Sequence, residues 1–447
     1  METSSTPHVV IIGGGFAGLF AARALASAPV RITLLDRHNY HLFQPLLYQV
    51  ATASLSPADV ASPIRWILRH QANVRVLLAE VTGIDTEAQR VSLAPSPAEA
   101  GHHEDGAGYH GDHADDSMSY DYLILAPGAA HAYFGHPEWA ARAPGLKTLD
   151  DALEMRRRVL LAFEAAERET DPSHLRRLMT FVIVGGGPTG VELAGALGEI
   201  ARHSLRHDFR AIRPESARIV LIEGSPHVLG TFPDPLREKA RRTLERLGIE
   251  VMTDSVVTAM DDDGISWRPT SAGPSAPVER IEAETVLWAA GVAASPLAAS
   301  LGVPLDRAGR VAVEPTLAVP GHPNVFVTGD LCALQQDGKP LPGVAQVAMQ
   351  EGAHAAKNIA RAAAGQTLEP FRYVDYGNMA TIGRGAAVAE IFGFKFGGFS
   401  AWLIWLFLHI FWLIGFRNRL AVMGEWAWAY MTFQRRARLI TGDRDRP

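Results

Sequence analysis

Two short apolar runs, each closed by glycines and followed by an alanine-rich stretch with helical spacing, stand out along this chain. His8-Val9-Val10-Ile11-Ile12 opens into Gly13-Gly14-Gly15-Phe16-Ala17-Gly18, and Phe181-Val182-Ile183-Val184 opens into Gly185-Gly186-Gly187-Pro188-Thr189-Gly190. The two turns begin at Gly13 and Gly185, far enough apart for each to open a domain of its own. Continuous β-branched runs of this length predict strands. Similar runs predict strands at 31–36, 122–125, 218–223, 285–288 and 324–330. Strands alternating with helical stretches predict an α/β fold, here two Rossmann-like dinucleotide-binding domains.

From residue 399 the pattern changes. Residues 399–416 are almost free of charge and rich in tryptophan, leucine and isoleucine. As a single helix they would extend about 27 Å, just short of a hydrocarbon core of about 30 Å, so that spanning a membrane is marginal. Trp402, Trp405, His409, Trp412 and Phe416 recur at spacings of three and four and form one stripe. That favours a helix lying flat, because a spanning helix gathers its aromatics at its two ends. Beyond an expected break at Arg417-Asn418-Arg419, Met423, Trp426, Tyr430 and Phe433 form a second stripe, followed by Arg435, Arg436 and Arg438. Residues 395–447 hold eight basic and three acidic side chains, +5 against −11 for the remainder. A C-terminal membrane-associating helical segment on an anionic leaflet is expected. A buried helical hairpin or a homodimer interface is the alternative use of such stripes, and a dimer would present two anchors together.

The glycine turns carry the chemistry. In each, the first glycine allows the tight turn, the second lets backbone approach a pyrophosphate, and the third lets the helix pack on the strand. Asp36 ends a strand at close to the distance from Gly13 expected for a ribose 2′-hydroxyl contact. Glu223 does the same after Gly185, but farther along the chain, across an apparent insertion around His203 to Ser216. Glycine turns serving packing alone would not need the two carboxylates. Glu223 would repel a 2′-phosphate, so NADH is expected over NADPH. Small-residue turns at Ala126-Pro127-Gly128 and Ala289-Ala290-Gly291, and the carboxylate of Gly329-Asp330, lie at strand ends, where ligands of open α/β sheets bind.

Composition narrows the class. The length of 447 residues suits about three domains, and the net charge of −6 argues against nucleic acid as a partner. Cys332 is the only cysteine, which excludes a dithiol that stores electrons and a cluster held by four thiolates. Few residues precede the first strand, which leaves no length for a signal peptide, so the cytoplasm is the expected side. The polar insert 97–119 carries His102, His103, His110 and His113 among acidic residues and reads as a solvated loop, with a metal site as the lesser alternative. Residues 261–279 read as a long hairpin loop.

Over nearly its whole length the chain resembles the two-dinucleotide flavoproteins, and among them the type II NADH dehydrogenases. The resemblance is most specific at His41-Leu42-Phe43-Gln44-Pro45-Leu46-Leu47-Tyr48-Gln49-Val50-Ala51, Gly190-Val191-Glu192-Leu193-Ala194-Gly195, Ala345-Gln346-Val347-Ala348-Met349-Gln350 and Ala380-Thr381-Ile382-Gly383-Arg384. It implies an FAD-binding domain at 7–150 and 305–370, an NADH-binding domain at 151–304, and a C-terminal region at 371–447. FAD would be held by Gly13, Gly15, Phe16, Ala17, Gly18, Asp36, Arg37, Val81, Ala126, Gly128, Gly329, Asp330, Ala345 and Gln346. NADH would be held by Gly185, Gly187, Pro188, Thr189, Gly190, Glu192, Glu223, Ala290 and Gly291. A membrane quinone would meet Gln44, Pro45, Gln346, Gln350 and Ile382, with Glu192, Gln346 and Gln350 as the catalytic set and no metal.

Each of these roles has a plainer alternative. Glu192 is expected in the first turn of its helix, where the helix dipole alone would tolerate a carboxylate. Gln346 and Gln350, four apart on one helix face, would equally be solvated or bonded to backbone. Two departures from the family pattern bear on the cofactor: Tyr376-Gly377 stands where relatives have Lys-Gly, and Pro127 removes a backbone donor. The expected activity is non-proton-pumping NADH:quinone oxidoreduction at the cytoplasmic face of the inner (plasma) membrane, by a peripheral protein. A flavin reductase serving a soluble acceptor such as ferredoxin, and a membrane-associated NAD(H)-responsive binding protein, are the competing readings.

Overall fold

The structure, a computed structural model, describes residues 6–95, 117–414, 416–432, 435 and 437–441. His102, His103, His110 and His113 of the polar insert, together with Phe433 and Arg436, lie outside the described residues, as does the side chain of Phe416. The chain forms two compact units. The first comprises Met1–His41, Ser62–Ala130 and Val292–Asp375; the second comprises Leu42–Ala61, His131–Gly291 and Tyr376–Pro447.

The first unit is built on a six-stranded sheet. Its order is Ala318–Val319, His322–Val327, Tyr122–Leu125, His8–Ile12, Arg31–Asp36 and Val74–Leu78, parallel except at the Ala318–Val319 edge. His8–Ile12 is buried at every position, as an inner strand of a parallel sheet covered on both faces is. The helices Phe16–Ala24 and Ala345–Ala363 pack so closely that a side chain on Gly352 would collide with the backbone of Ala17.

The second unit repeats the plan on a four-stranded parallel sheet, ordered Ile249–Met252, Arg218–Ile222, Thr180–Val184 and Thr285–Trp288. The stretch expected as a long loop over 261–279 instead contains the strand Gly264–Pro269, the middle of an antiparallel sheet with Ser255–Asp261 and Glu279–Glu282. Its apolar Ile265 is fully buried, which outweighs the turn-forming residues around it. The expected insertion after the second glycine turn begins as a π-helical turn, Ile200–Ser204, that continues the helix Pro188–Glu199.

At the C-terminus the sheet Asn378–Gly383, Ala386–Ile391 and Phe394–Gly398 leads into two helices, Phe399–Trp412 and Phe416–Thr432. Three expectations are corrected here. The apolar helix stops at Trp412, and Leu413 is extended, so its 14 residues reach about 21 Å. Among the described residues no helix is long and apolar enough to cross a membrane. Arg417, Asn418 and Arg419 therefore lie inside the second helix rather than at the break. Part of the tryptophan stripe is also turned inward: Trp405 is 3% exposed and packs on Trp426, and Trp402 stacks on Tyr430, while Trp412 at the helix end stays exposed. Burial pushes His409 down to about 4, leaving a neutral imidazole in that apolar seam. The outward stripe is Phe399, Leu403, Phe407 and Phe411, at spacings of four, with Phe407 68% exposed. Finally, Arg435 and Arg438 do not face outward as a cationic cluster. Arg435 is buried against Glu199 at 2.9 Å, and Arg438 pairs with Asp208.

Candidate functional site

Each unit carries one glycine cradle, and the two match bond for bond. Gly13 N–H donates to the Leu35 carbonyl at 2.8 Å, and Gly185 N–H to that of Ile222 at 2.7 Å. Ala126 N–H donates to Ile12, and Ala289 N–H to Val184. Asp36 accepts from Gly14 N–H at 2.6 Å and from His38 N–H at 2.7 Å; Glu223 accepts from Gly186 N–H and Ser225 N–H at the same two distances. Each carboxylate thus ties the end of its strand to the glycine turn and keeps further acceptor capacity for ribose hydroxyls.

The glycines divide into two kinds. Gly13 and Gly185 have φ of +99° and +110°, and a side chain on either would strike the backbone of Ala126 or Ala289. Gly18 and Gly190 lie against the carbonyls of Gly13 and Gly185. Those four are required by the fold. Gly15 and Gly187 are not, because a Cβ there meets no atom within 4 Å. Both are helix N-caps with no side-chain cap, so no cap side chain occupies the helix start. A backbone shaped to bring amides and no side chain to one spot fits a diphosphate, and both cradles pass this test for a dinucleotide.

The remaining FAD candidates all fall in the first unit. Phe16, Ala17 and Ala126 share a cluster with Ala348, whose Cβ lies 3.5 Å from the side-chain position of Gly329. Gly128 has φ of +71°, Asp330 sits in the turn Gly329–Leu331, Val81 begins a strand, and Arg37 is exposed. Sequence reasoning missed Glu351. This carboxyl accepts from Gly329 N–H at 2.6 Å and is pushed up to about 8 by burial. Ala345 opens the helix that carries Gln346 and Gln350. For Gln350 the backbone-bonded alternative is what is seen: its amide donates to the Val374 carbonyl at 2.9 Å and accepts from Val374 N–H at 3.0 Å. Gln346, one turn earlier, is partly exposed. Among the described residues no group of three or more His, Cys, Asp or Glu is placed to hold a metal.

In the second unit, Pro188 and Thr189 stand exposed at the helix start, and Ala290 packs against the core while Gly291 lies under Phe134. Glu192 is the fifth residue of the helix Pro188–Glu199, so the expected first-turn placement is corrected: no acidic residue lies in that turn. The dipole does not account for it. Burial pushes its carboxyl up to about 8, opposed only by a bond from Thr381 N–H at 3.4 Å. Gly195 makes this arrangement feasible, since any side chain there would collide with the Ile382 carbonyl and push the strand Asn378–Gly383 off the helix.

Glu192 and Ile382 open onto a cavity of about 110 Å³. Trp402, Trp405, Trp426 and Tyr430 supply its aromatic wall; Tyr48, Gln49, Glu199 and Arg435 supply polar groups. Gln44 and Pro45 form the turn before Tyr48, and the Gln44 amide reaches the Lys147 carbonyl at 3.5 Å; neither lines the cavity. Arg435 donates to the Thr52 carbonyl at 2.8 Å as well as to Glu199, whose other oxygen accepts from Arg384 N–H. The Arg384 guanidinium lies over the Tyr430 ring at 4.2 Å. An apolar planar molecule with polar oxygens at its ends suits such walls, and a carboxyl near 8 is protonated at neutral pH and able to give up its proton.

The chain matches the pyridine nucleotide-disulphide oxidoreductase family over residues 7–352. It is 46% identical to the type II NADH:quinone oxidoreductase NdhA of Mycobacterium tuberculosis, over 97% of this chain and 89% of that protein. It is 44% identical to Ndh of the same organism, over 97% and 90%. In fold it matches the Plasmodium falciparum NDH2 solved in complex with NADH, at a TM-score of 0.84 and 18% identity, over 98% of this chain and all of that one. The sulfide:quinone oxidoreductase of Aquifex aeolicus matches at 0.70 and 18% identity, over 93% and 92%.

Proposed function

The chain belongs to the type II NADH:quinone oxidoreductases, and on that footing we propose that it oxidises NADH and reduces a membrane quinone, with FAD in the first unit's cradle and NADH in the second's. The overall conversion is NADH + H⁺ + quinone → NAD⁺ + quinol. FAD, when bound, supplies a two-electron carrier between the two substrates. Asp36 and Glu223 orient the two adenosine riboses, and the amides at Gly15 and Gly187 hold the diphosphates. Glu223 also repels a 2′-phosphate, which selects NADH.

The observation that carries the acceptor half of this reading is the aromatic cavity in which Glu192 is kept protonated. Glu192 holds a proton at the cavity wall for the quinone oxygen, and Ile382 shapes the pocket beside it. Gln346 is assigned to the bound isoalloxazine, and Gln350 to holding the segment around Val374. The outward faces of the two C-terminal helices, with Phe407 and Phe411, would rest on the cytoplasmic leaflet, so that quinone enters from lipid. Protons for quinol formation would then come from the side on which the protein sits, without transport across the membrane. A reductase for a soluble acceptor leaves these exposed aromatics without a role.

The test is anaerobic stopped-flow of FAD-loaded protein on anionic lipid vesicles. NADH should bleach the flavin rapidly, and a substituted 1,4-benzoquinone should restore its colour rapidly. Rapid bleaching with slow recovery would move the acceptor to a soluble partner.

A further inference from the structure

The cavity holds a hydrogen-bond donor whose direction is set by its neighbours. Trp426 Nε1–H lies 2.7 Å from Gln49 Oε1, and Gln49 Nε2 lies 2.9 Å from the Tyr48 hydroxyl. An indole N–H can only donate, so the amide atom facing it is the oxygen. The amide nitrogen therefore faces Tyr48, and it too can only donate. Tyr48 is the acceptor in that bond, which leaves its own O–H proton over. Among the described residues that proton has no acceptor, although Tyr48 is only 6% exposed and lines the cavity. Burying a hydroxyl with its donor unused costs about 1–3 kcal/mol, which a ligand oxygen would recover.

We propose that Tyr48 is a further acceptor-binding residue, its hydroxyl donating to a carbonyl oxygen of the quinone and aimed by the relay from Trp426 through Gln49. The proposal rests on the quinone reading above. Tyr48 forms a hydrogen bond and transfers no proton; burial, with Glu192 and Glu199 nearby, holds its phenol well above the ordinary range, against the opposing charge of Arg435. It stays a neutral donor throughout the cycle. As the carbonyl gains electrons its oxygen becomes the stronger acceptor, so the bond tightens toward the transition state and acts on rate as well as on binding. The relay also gives the Phe416–Thr432 helix a second task. Its inward Trp426 sets the donor, so a helix that would otherwise only attach the protein to lipid becomes part of the acceptor site.

The experiment compares Tyr48→Phe and Trp426→Phe with the wild type in the FAD-loaded full chain, using a short-chain substituted 1,4-benzoquinone. Tyr48→Phe should lower kcat/KM for the quinone about 10- to 100-fold, while flavin content and the rate of NADH-driven bleaching hold. Trp426→Phe keeps the ring but frees the Gln49 amide to turn over, and should lower the same constant about 3- to 10-fold. The double variant should be no worse than Tyr48→Phe, because both substitutions remove one bond. Unchanged quinone kinetics in either single variant, or fully additive losses in the double, would overturn the proposal. A wild type that reduces no quinone would instead overturn the reading on which it rests.

Discussion

The two glycine cradles, at Gly13 and at Gly185, repeat one another in distant parts of the chain, whereas the cavity beside Glu192 is assembled once, from scattered side chains of the second unit. Its walls come from five separate stretches: Tyr48 to Ser54, Glu192 to Ser204, Thr381 to Arg384, Trp402 with Trp405, and Trp426 to Arg435. The cradles are made of backbone. Their specificity is steric, a matter of where a Cβ is forbidden, and any sequence with glycine at the right offsets after a buried strand reproduces them. The cavity is made of side chains, so its chemistry depends on which residue each distant segment delivers.

Two glycines of one cradle should respond oppositely to the same substitution. Gly185→Ala places a Cβ 2.5 Å from the Ala289 carbonyl at a φ of +110°. It should destabilise the second unit by about 4 kcal/mol or more, read as a lost or sharply lowered thermal transition. Gly187→Ala meets nothing within 4 Å, so the fold should hold, with Tm within a degree or two. NADH affinity, read from the concentration dependence of flavin bleaching, should nonetheless fall about 100-fold. If both variants unfold alike, Gly187 serves the fold and not the nucleotide.

The cavity should break differently, through a pair. Arg435 and Glu199 form a buried ion pair at its wall, and removing one partner strands the other charge. Arg435→Leu should cost about 3 kcal/mol and Glu199→Gln a similar amount, while the double variant should cost clearly less than the sum. Denaturant unfolding of the four proteins checks this. Simple additivity would mean that the two side chains stabilise the protein independently.

This contrast also explains what could be read before the fold was known. The strands that lead into the two glycine turns, and the turns themselves, were legible because each is contiguous and obeys a steric rule. The C-terminal helix was legible as a helix but not in its facing. Residues 399–412 are apolar nearly all round, so no polar side marks which stripe turns outward. Tyr48 and Gln49 stood in a segment singled out by resemblance, yet nothing local shows that Trp426, hundreds of residues later, fixes their polarity. Arg435 was misplaced for a related reason: charge patterning counts signs and cannot see that Glu199 waits at the end of another helix. Glu192 was singled out, but with the wrong environment, because helix position suggests a dipole effect where burial is the actual cause, opposed by the Thr381 N–H.

That environment supports the smallest of these effects and the one most specific to the cavity. Glu192 has its carboxyl raised to about 8 in the folded protein, above its ordinary value of 4.5. Between those two values the native state holds a proton that the unfolded state has released. Stability conferred in the protonated form is therefore fully present below about pH 4.5, declines as pH rises through that window, and levels off above about 8. Glu192→Gln removes the titration, so its stability should be flatter across the same range, by an amount on the order of 1 to a few kcal/mol. Quinone reduction should show the same group in a second way. The wild-type rate should hold up to about pH 7 and fall as Glu192 loses its proton near 8. In Glu192→Gln the rate should be lower by about 10- to 100-fold at neutral pH, with that inflection gone. A variant that keeps the wild-type inflection would show that another group titrates at the cavity. It would leave Glu192 as a shape-determining residue, and the difference between cradle and cavity would then be one of geometry alone.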